Sequence, residues 1–201
     1  MKTLILFLIF VLSSCNKDSV KSDPIAQLPP ETQTGANTFG VTINGKVYIP
    51  RTPTGVNVGG TPQAVRFWRS PDNQHTYDDL EVVDGASSVG FKIIIHLQNL
   101  FLNGTGQYQL KQSNFQRGFD SMPFNHIFFV VWDAKISSSA YYGSVENEGL
   151  VNVTRYDFNN RIFSGNFSGK FVRYDNPNEF ITITDGRFDI NWNTIQNHPF
   201  P

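Results

Sequence analysis

The chain has 201 residues, a formal net charge of −1 and only 16% charged residues. This composition argues against nucleic acid as a partner, because binding to phosphates depends on clustered Lys and Arg side chains. A single cysteine excludes an internal disulfide and a thiolate metal site. The length suits one folded domain rather than two.

The N-terminus has the pattern of a bacterial lipoprotein signal. Lys2 precedes an apolar stretch from Leu4 to Leu12, which is far shorter than the roughly 20 apolar residues of a membrane span. Ser13 and Ser14 then precede Cys15, the only cysteine of the chain. The pattern predicts a signal peptide over residues 1–14 and lipidation at Cys15, so that acyl chains anchor the protein to a membrane. An ordinary secretory signal, the alternative, would leave Cys15 as an odd reactive thiol.

Residues 15–37 are predicted to form the lipidated start and a flexible linker. This segment is rich in Pro, Ser, Thr and Gln and poor in apolar side chains, so it cannot offset the entropy of becoming ordered. The folded domain is therefore expected over residues 38–201.

From residue 38 onward the pattern is that of an all-β domain. The chain contains 18 phenylalanines, and Gly, Asn and Asp interrupt short apolar runs that lack a helical stripe. Strands are predicted over Gln63 to Arg69, Leu80 to Val83, Gly90 to Leu97, Gln107 to Lys111, Ile127 to Trp132, Leu150 to Asp157 and Arg161 to Tyr174. The predicted fold is an antiparallel β-sandwich, with a partly closed antiparallel β-barrel as the alternative.

Two dipeptides predict tight hairpins. Asp185-Gly186 suits a two-residue type I′ turn, which would place Ile183 opposite Phe188 in a hairpin over residues 180–192. Asn44-Gly45 predicts a second hairpin, with Val41 opposite Tyr48.

Two other segments predict buried strands. Phe163, Phe167 and Phe171 have helical spacing, but the intervening Gly165 and Gly169 would each cost about 1 kcal/mol in a helix. In a strand these glycines give the rings flat neighbours, so we predict a strand. The run from Ile127 to Trp132 is apolar on both faces and predicts a central strand.

Several segments resemble a family of uncharacterised Bacteroidota lipoproteins. They are Phe39 to Pro50, Gly149 to Asp157, Asn160 to Gly169 and the Ile181 to Ile190 hairpin sequence. The resemblance implies a lipid-anchored protein of the outer membrane and brings no assigned activity or catalytic residue. Lys17-Asp18 resembles the signal that sends some of these lipoproteins to the cell surface, so the surface and the periplasmic face both remain open.

The sequence contains no motif of a catalytic or metal centre. In Gly165-Asn166-Phe167-Ser168-Gly169 the serine lies one position too late for a hydrolase elbow. The four histidines lack zinc-site spacing, and we interpret His96 as a surface or hydrogen-bonded residue. We predict a protein that is not an enzyme, with a hydrolase as the least favoured function.

Acidic clusters leave one alternative open. Carboxylates occur at Asp78-Asp79, at Glu146 with Glu148, and at Asp175 with Glu179. We interpret them as solvated loop residues and predict no cofactor. A structural calcium ion at Asp72-Asn73, Asp78-Asp79 or Asp175-Asn176 is the alternative, because calcium prefers such oxygen ligands.

Four aromatic residues are the candidate ligand-binding residues: Trp68, Tyr77, Tyr141 and Tyr142. We expect them in or beside loops, where exposed rings can cover the C–H face of a sugar while nearby amides bind its hydroxyls. That these rings instead cap the core is the alternative. The predicted function is a noncatalytic ligand-binding module of the cell envelope with a glycan as candidate ligand. The alternative is a structural or adaptor subunit of an envelope protein complex.

Overall fold

The computed structural model describes residues 27–52, 63–70, 76–84, 91–115, 124–133 and 137–201. The predicted signal peptide and Cys15 lie outside these ranges. The strands are β1 Thr38–Ile43, β2 Lys46–Tyr48, β3 Val65–Arg69, β4 Tyr77–Asp84, β5 Phe91–Gln98, β6 Gly106–Gln109, β7 His126–Asp133, β8 Ser138–Asp157, β9 Ile162–Arg173 and β10 Phe180–Asn191. One helical turn, α1, spans Leu100–Asn103, and a 3₁₀ turn spans Ile195–Asn197.

The strands form one antiparallel sheet that curls into a half-barrel. Their order is β2-β1-β10-β9-β8-β7-β5-β4-β3, and β6 pairs with β8 beyond the end of β7. Curling brings distant strands together, as the Phe67 ring of β3 stacks on Trp192 at 5.3 Å between centroids. The predicted all-β antiparallel class is confirmed, and the sheet curls as expected of a partly closed barrel. The central position of β7 is also confirmed.

The concave face of the sheet holds one phenylalanine-rich core. Phe163 and Phe188 lie 4.5 Å apart between ring centroids, and Phe129 and Phe171 lie 4.9 Å apart. The strand predicted through Phe163 and Phe171 is confirmed. Gly165 is needed there because a Cβ atom would meet the Phe188 ring at 2.8 Å.

The predicted hairpin at Asn44-Gly45 is confirmed. Both residues have positive φ angles, 48° and 79°, as a type I′ turn requires. Val41 pairs with Tyr48 in the expected register.

The predicted hairpin at Asp185-Gly186 is wrong, because β10 runs straight through both residues. Ile183 pairs with Gly169 and Gly186 pairs with Phe167, so β10 carries one extra residue against β9. This is a β-bulge. A bulge and a two-residue turn both switch the inward-facing residues from odd to even numbers, and the 12-residue β9 offers a partner to both halves. The predicted alternation of buried and exposed residues along β10 is therefore confirmed, and its cause is a bulge rather than a turn.

The predicted flexible linker extends too far into the domain. Residues 27–37 lie on the convex face of the sheet, where the carboxylate of Asp189 accepts hydrogen bonds from the main-chain N–H groups of Thr34, Gly35 and Ala36. Composition did not show this because the organising carboxylate is more than 150 positions away in the sequence.

Candidate functional site

A polar groove of about 520 Å³ opens beside β6 and is the candidate site. Its lining is dominated by amide side chains: Gln98, Asn99, Asn103, Gln107, Gln109 and Asn125. The other lining residues are Thr105, Gly106, Tyr108, Lys111 and Phe124. Lys111 is the one charged residue in this lining, so the groove suits an uncharged polar ligand.

Sharp turns at both ends of α1 shape one wall of the groove. Asn99 takes a left-handed conformation with φ 53°, and Gly104 takes φ 64°, which Asn and Gly tolerate best. The buried Leu100 anchors the turn in the core. This geometry leaves Asn99 and Asn103 exposed on the side that faces β6.

The other wall is the open edge of β6. Leu110, just beyond β6, donates its N–H to the carbonyl oxygen of Gly149 at 2.9 Å. Because main-chain groups alternate along an antiparallel ladder, Gln107 and Gln109 turn their N–H and C=O groups away from β8 and toward the groove. The Gln109 oxygen accepts a hydrogen bond from Asn125 Nδ2 at 3.4 Å. Among the described strands β6 pairs with β8 alone, so the groove presents main-chain as well as side-chain hydrogen-bonding groups.

Some of the lining amides hold the groove together. The Asn125 Oδ1 atom accepts the Gln98 main-chain N–H at 2.9 Å, and Gln109 Nε2 donates to the Gly149 oxygen at 2.8 Å. The Tyr108 hydroxyl donates to the Gly104 oxygen at 2.7 Å. Burial and the nearby Asp78 raise the pKa of Tyr108 to about 12, so this hydroxyl keeps its proton.

Other lining amides are available to a ligand. Within the described ranges, the side chains of Asn99, Asn103 and Gln107 make no hydrogen bond. All three residues are exposed. Each amide offers two donor hydrogens and one acceptor oxygen.

Two buried histidines lie behind the groove on the convex face of the sheet. His96 Nδ1 lies 2.6 Å from Asp79 Oδ1, and His96 Nε2 lies 2.7 Å from Nε2 of the groove residue Gln98. The His126 ring packs 4.9 Å from His96, and its Nδ1 lies 2.9 Å from Ser113 Oγ. Burial, together with His96, lowers the pKa of His126 to about 3. His96 is hydrogen-bonded, as predicted, but it is fully buried.

A buried ion pair lies on the concave face of the sheet. Arg69 Nε is 3.1 Å from Asp78 Oδ1, and the guanidinium lies 4.8 Å from the Phe158 ring centroid. Burial raises the pKa of Asp78 to about 6, although Arg69 opposes this.

The predicted aromatic residues do not form one site, and none lines the groove. All four lie on strands: Tyr77 is the first residue of β4 and Trp68 is the penultimate residue of β3, so these two lie beside loops, whereas Tyr141 and Tyr142 lie inside β8. Trp68 is 51% exposed on the edge strand β3, and Tyr77 stacks on His96 at 5.5 Å. Tyr141 and Tyr142 point to opposite faces of β8, because side chains alternate along a strand. Tyr141 is 42% exposed, and the buried Tyr142 donates its hydroxyl to Glu179 Oε1 at 2.6 Å.

The predicted acidic clusters are mostly paired with cations. Asp78 and Asp79 are buried in β4 rather than in a loop, and Asp79 faces His96. Glu146 pairs with Lys111, and both Asp175 and Glu179 pair with Arg173. No group of three or more His, Cys, Asp or Glu residues within the described ranges could hold a metal ion. Asp72-Asn73 lies outside those ranges.

The groove amides were missed because each is an ordinary surface residue by itself. The available signal was the density of uncharged amides between residues 98 and 114, including the Gln-x-Gln alternation of Gln107 and Gln109. Only the pairing of β6 with β8 reveals that these side chains converge.

Comparisons with known proteins add no relative: no family model, curated protein or solved structure matches this chain. None of the helices in the described part of the chain has the length and apolar character to cross a membrane.

Proposed function

We propose that this protein is a noncatalytic, glycan-binding module of the bacterial cell envelope, anchored to the outer membrane through acyl chains on Cys15. The observation that carries the binding function is the amide-lined groove. The signal pattern and the resemblance to Bacteroidota lipoproteins support the anchor.

The chemistry of the groove favours a polyhydroxylated ligand. A sugar hydroxyl both donates and accepts hydrogen bonds, which matches the amides of Asn99, Asn103 and Gln107. The Phe124 ring can cover an apolar sugar face. An anionic ligand is less well matched, since Lys111 already pairs with Glu146 at 2.7 Å.

A glycan array followed by calorimetry tests this function. The full chain, purified in detergent, is expected to bind a glycan, and the Asn103→Ala/Gln107→Ala double variant should bind it about 5- to 150-fold more weakly. This range assumes two lost hydrogen bonds of about 0.5–1.5 kcal/mol each. Gln112→Ala, an exposed amide outside the groove lining, is the matched control. Glycan binding at this groove would be rejected if the wild-type protein bound no glycan on the array, or if the double variant bound with unchanged affinity.

The proposed anchor has its own test. Intact mass spectrometry of protein extracted from membranes should find Cys15 as the acylated first residue. Finding an unmodified Cys15 still joined to Ser14 would reject lipidation.

A row of exposed aromatic rings favours the second candidate function, an adaptor subunit of an envelope complex. Trp132, Tyr141, Tyr174 and Phe180 are each 42–73% exposed, and such surface is typical of protein contacts. A pull-down from envelope extracts tests this function. If the wild-type protein repeatedly captured one envelope protein, the Tyr141→Ser/Tyr174→Ser variant did not, and no glycan bound on the array, the adaptor function would replace the glycan-binding one.

A further inference from the structure

A buried chain of hydrogen bonds connects Asp79 to the groove through His96 and Gln98. Asp79 and His96 are only 2% and 1% exposed. The distances are 2.6 Å from Asp79 Oδ1 to His96 Nδ1 and 2.7 Å from His96 Nε2 to Gln98 Nε2. Gln98 is the member of this chain that lines the groove.

The chemistry of these groups sets the direction of each hydrogen bond. An ionised carboxylate can only accept, so the proton of a neutral His96 ring lies on Nδ1 and is donated to Asp79. Nε2 then carries only a lone pair and must accept a hydrogen bond from the Gln98 NH₂ group. The Gln98 amide therefore turns its NH₂ group to the ring, which agrees with the Nε2–Nε2 contact.

We infer that Asp79 and His96 are positioning residues that hold the Gln98 amide so that its carbonyl oxygen is the atom offered to the groove. This inference rests on the proposed function and refines it, because the ligand must then present a donor, such as a hydroxyl, to Gln98. A carbonyl oxygen has two lone pairs, so it can accept from a ligand in addition to any other contact.

Protonation of His96 would reverse the arrangement. A doubly protonated ring donates from both nitrogens, so Nε2 would require the carbonyl oxygen of Gln98 as its acceptor. The amide would then turn its NH₂ group away from the ring, and the groove would offer donors where it had offered an acceptor.

Acidic groups and a neutral ring face His96 from the neighbouring strands. Asp79 lies against it, and Asp78 is the other acidic group of β4 that interacts with it. Across the sheet, the neutral ring of His126 adds no positive charge. The nearby Glu81 is paired with Lys92 at 3.2 Å.

Nitrogen NMR on the isotope-labelled full chain tests the inference without any ligand. We expect His96 to be protonated on Nδ1 in its neutral form, with a scalar coupling between Gln98 Nε2 and His96 Nε2 through the hydrogen bond. This coupling should disappear as the ring titrates, together with a shift of the Gln98 amide resonances. The inference would be overturned if the neutral His96 ring were protonated on Nε2, or if the Gln98 amide resonances did not shift when the ring gains its second proton.

The Gln98→Glu variant provides a second readout. A carboxylate beside Nε2 has no hydrogen to donate, so the nitrogen chemical shift that marks Nε2 as a hydrogen-bond acceptor should change in this variant. Gln107→Glu, on the opposite wall of the groove, is the matched control and should leave that chemical shift unchanged. Equal changes in the two variants would contradict the inference. If Gln98→Glu does not fold, the scalar coupling between Gln98 Nε2 and His96 Nε2 in the wild-type protein tests the inference by itself. Because neither readout uses a ligand, this inference and glycan binding can fail separately.

Discussion

Replacing Asp189 by Asn should release residues 27–37 from the sheet and destabilise the domain. Five hydrogen bonds of 2.6–3.1 Å reach this carboxylate, from the hydroxyls of Thr32 and Ser164 and from the main-chain N–H groups of Thr34, Gly35 and Ala36. Both carboxylate oxygens are used as acceptors. An Asn side chain must turn an NH₂ group toward some of these donors, which leaves them without an acceptor.

The expected loss in the free energy of unfolding is about 2–4 kcal/mol, because each buried donor left without a partner costs about 1–3 kcal/mol and some donors can turn to water. Burial alone would raise the pKa of Asp189, but the hydrogen bonds from Ser164, Thr32, Ala36 and Gly35 outweigh it and lower the pKa from 3.8 to about 2. The native state therefore binds fewer protons than the unfolded chain. The stabilisation by this carboxylate is complete above pH about 4 and is lost as the pH falls toward about 2; after allowance for solvent screening it is worth about 2 kcal/mol.

Urea denaturation of the wild-type protein and of Asp189→Asn at pH 7 and at pH 2.5 measures this effect. The difference between the two proteins should shrink at the lower pH, and hydrogen exchange at residues 34–36 should be faster in the variant. Asp185→Asn is the matched control, because that carboxylate is exposed on the same strand. A difference below about 0.5 kcal/mol at pH 7, or an equal loss in the control, would refute the reasoning.

Two further predictions concern the core. Gly186→Ala should lower the free energy of unfolding by about 1–3 kcal/mol or more, because its Cβ atom would lie 2.4 Å from the Phe167 ring at the bulge. Gly45→Ala is the control: its Cβ atom meets no atom within 4 Å, so it should lower the free energy of unfolding by about 1 kcal/mol through its positive φ alone. Equal losses in urea denaturation would contradict the bulge. Burial raises the pKa of Asp78 from 3.8 to about 6. Between these pH values the native state therefore binds more protons than the unfolded chain. The free energy of unfolding of the wild-type protein should fall by about 2–3 kcal/mol as the pH rises from 4 to 6. Asp78→Asn should remove this slope, and an unchanged slope would show that another group causes it.

Local signals in the sequence were sufficient for the class of fold and for several elements. Asn44-Gly45 forms the expected turn because both residues tolerate positive φ, a property of the dipeptide itself. The strand through Phe163 and Phe171 was predictable because glycine penalises a helix wherever it lies. Such signals depend on neighbours only a few residues away.

Partners distant in the sequence decided the rest. Asp185-Gly186 became a bulge because β9 is long enough to pair with both halves of β10, and residues 32–36 became ordered because the buried Asp189 accepts their hydrogen bonds. The groove amides converge only because β6 pairs with β8 and leaves its other edge open beside α1. The sequence by itself determined the all-β class, most of the strand segments and which of their faces are apolar, because alternation and turn propensity are local. Only the tertiary structure determined register, strand partners and the groove, since these depend on which segments meet across the sheet.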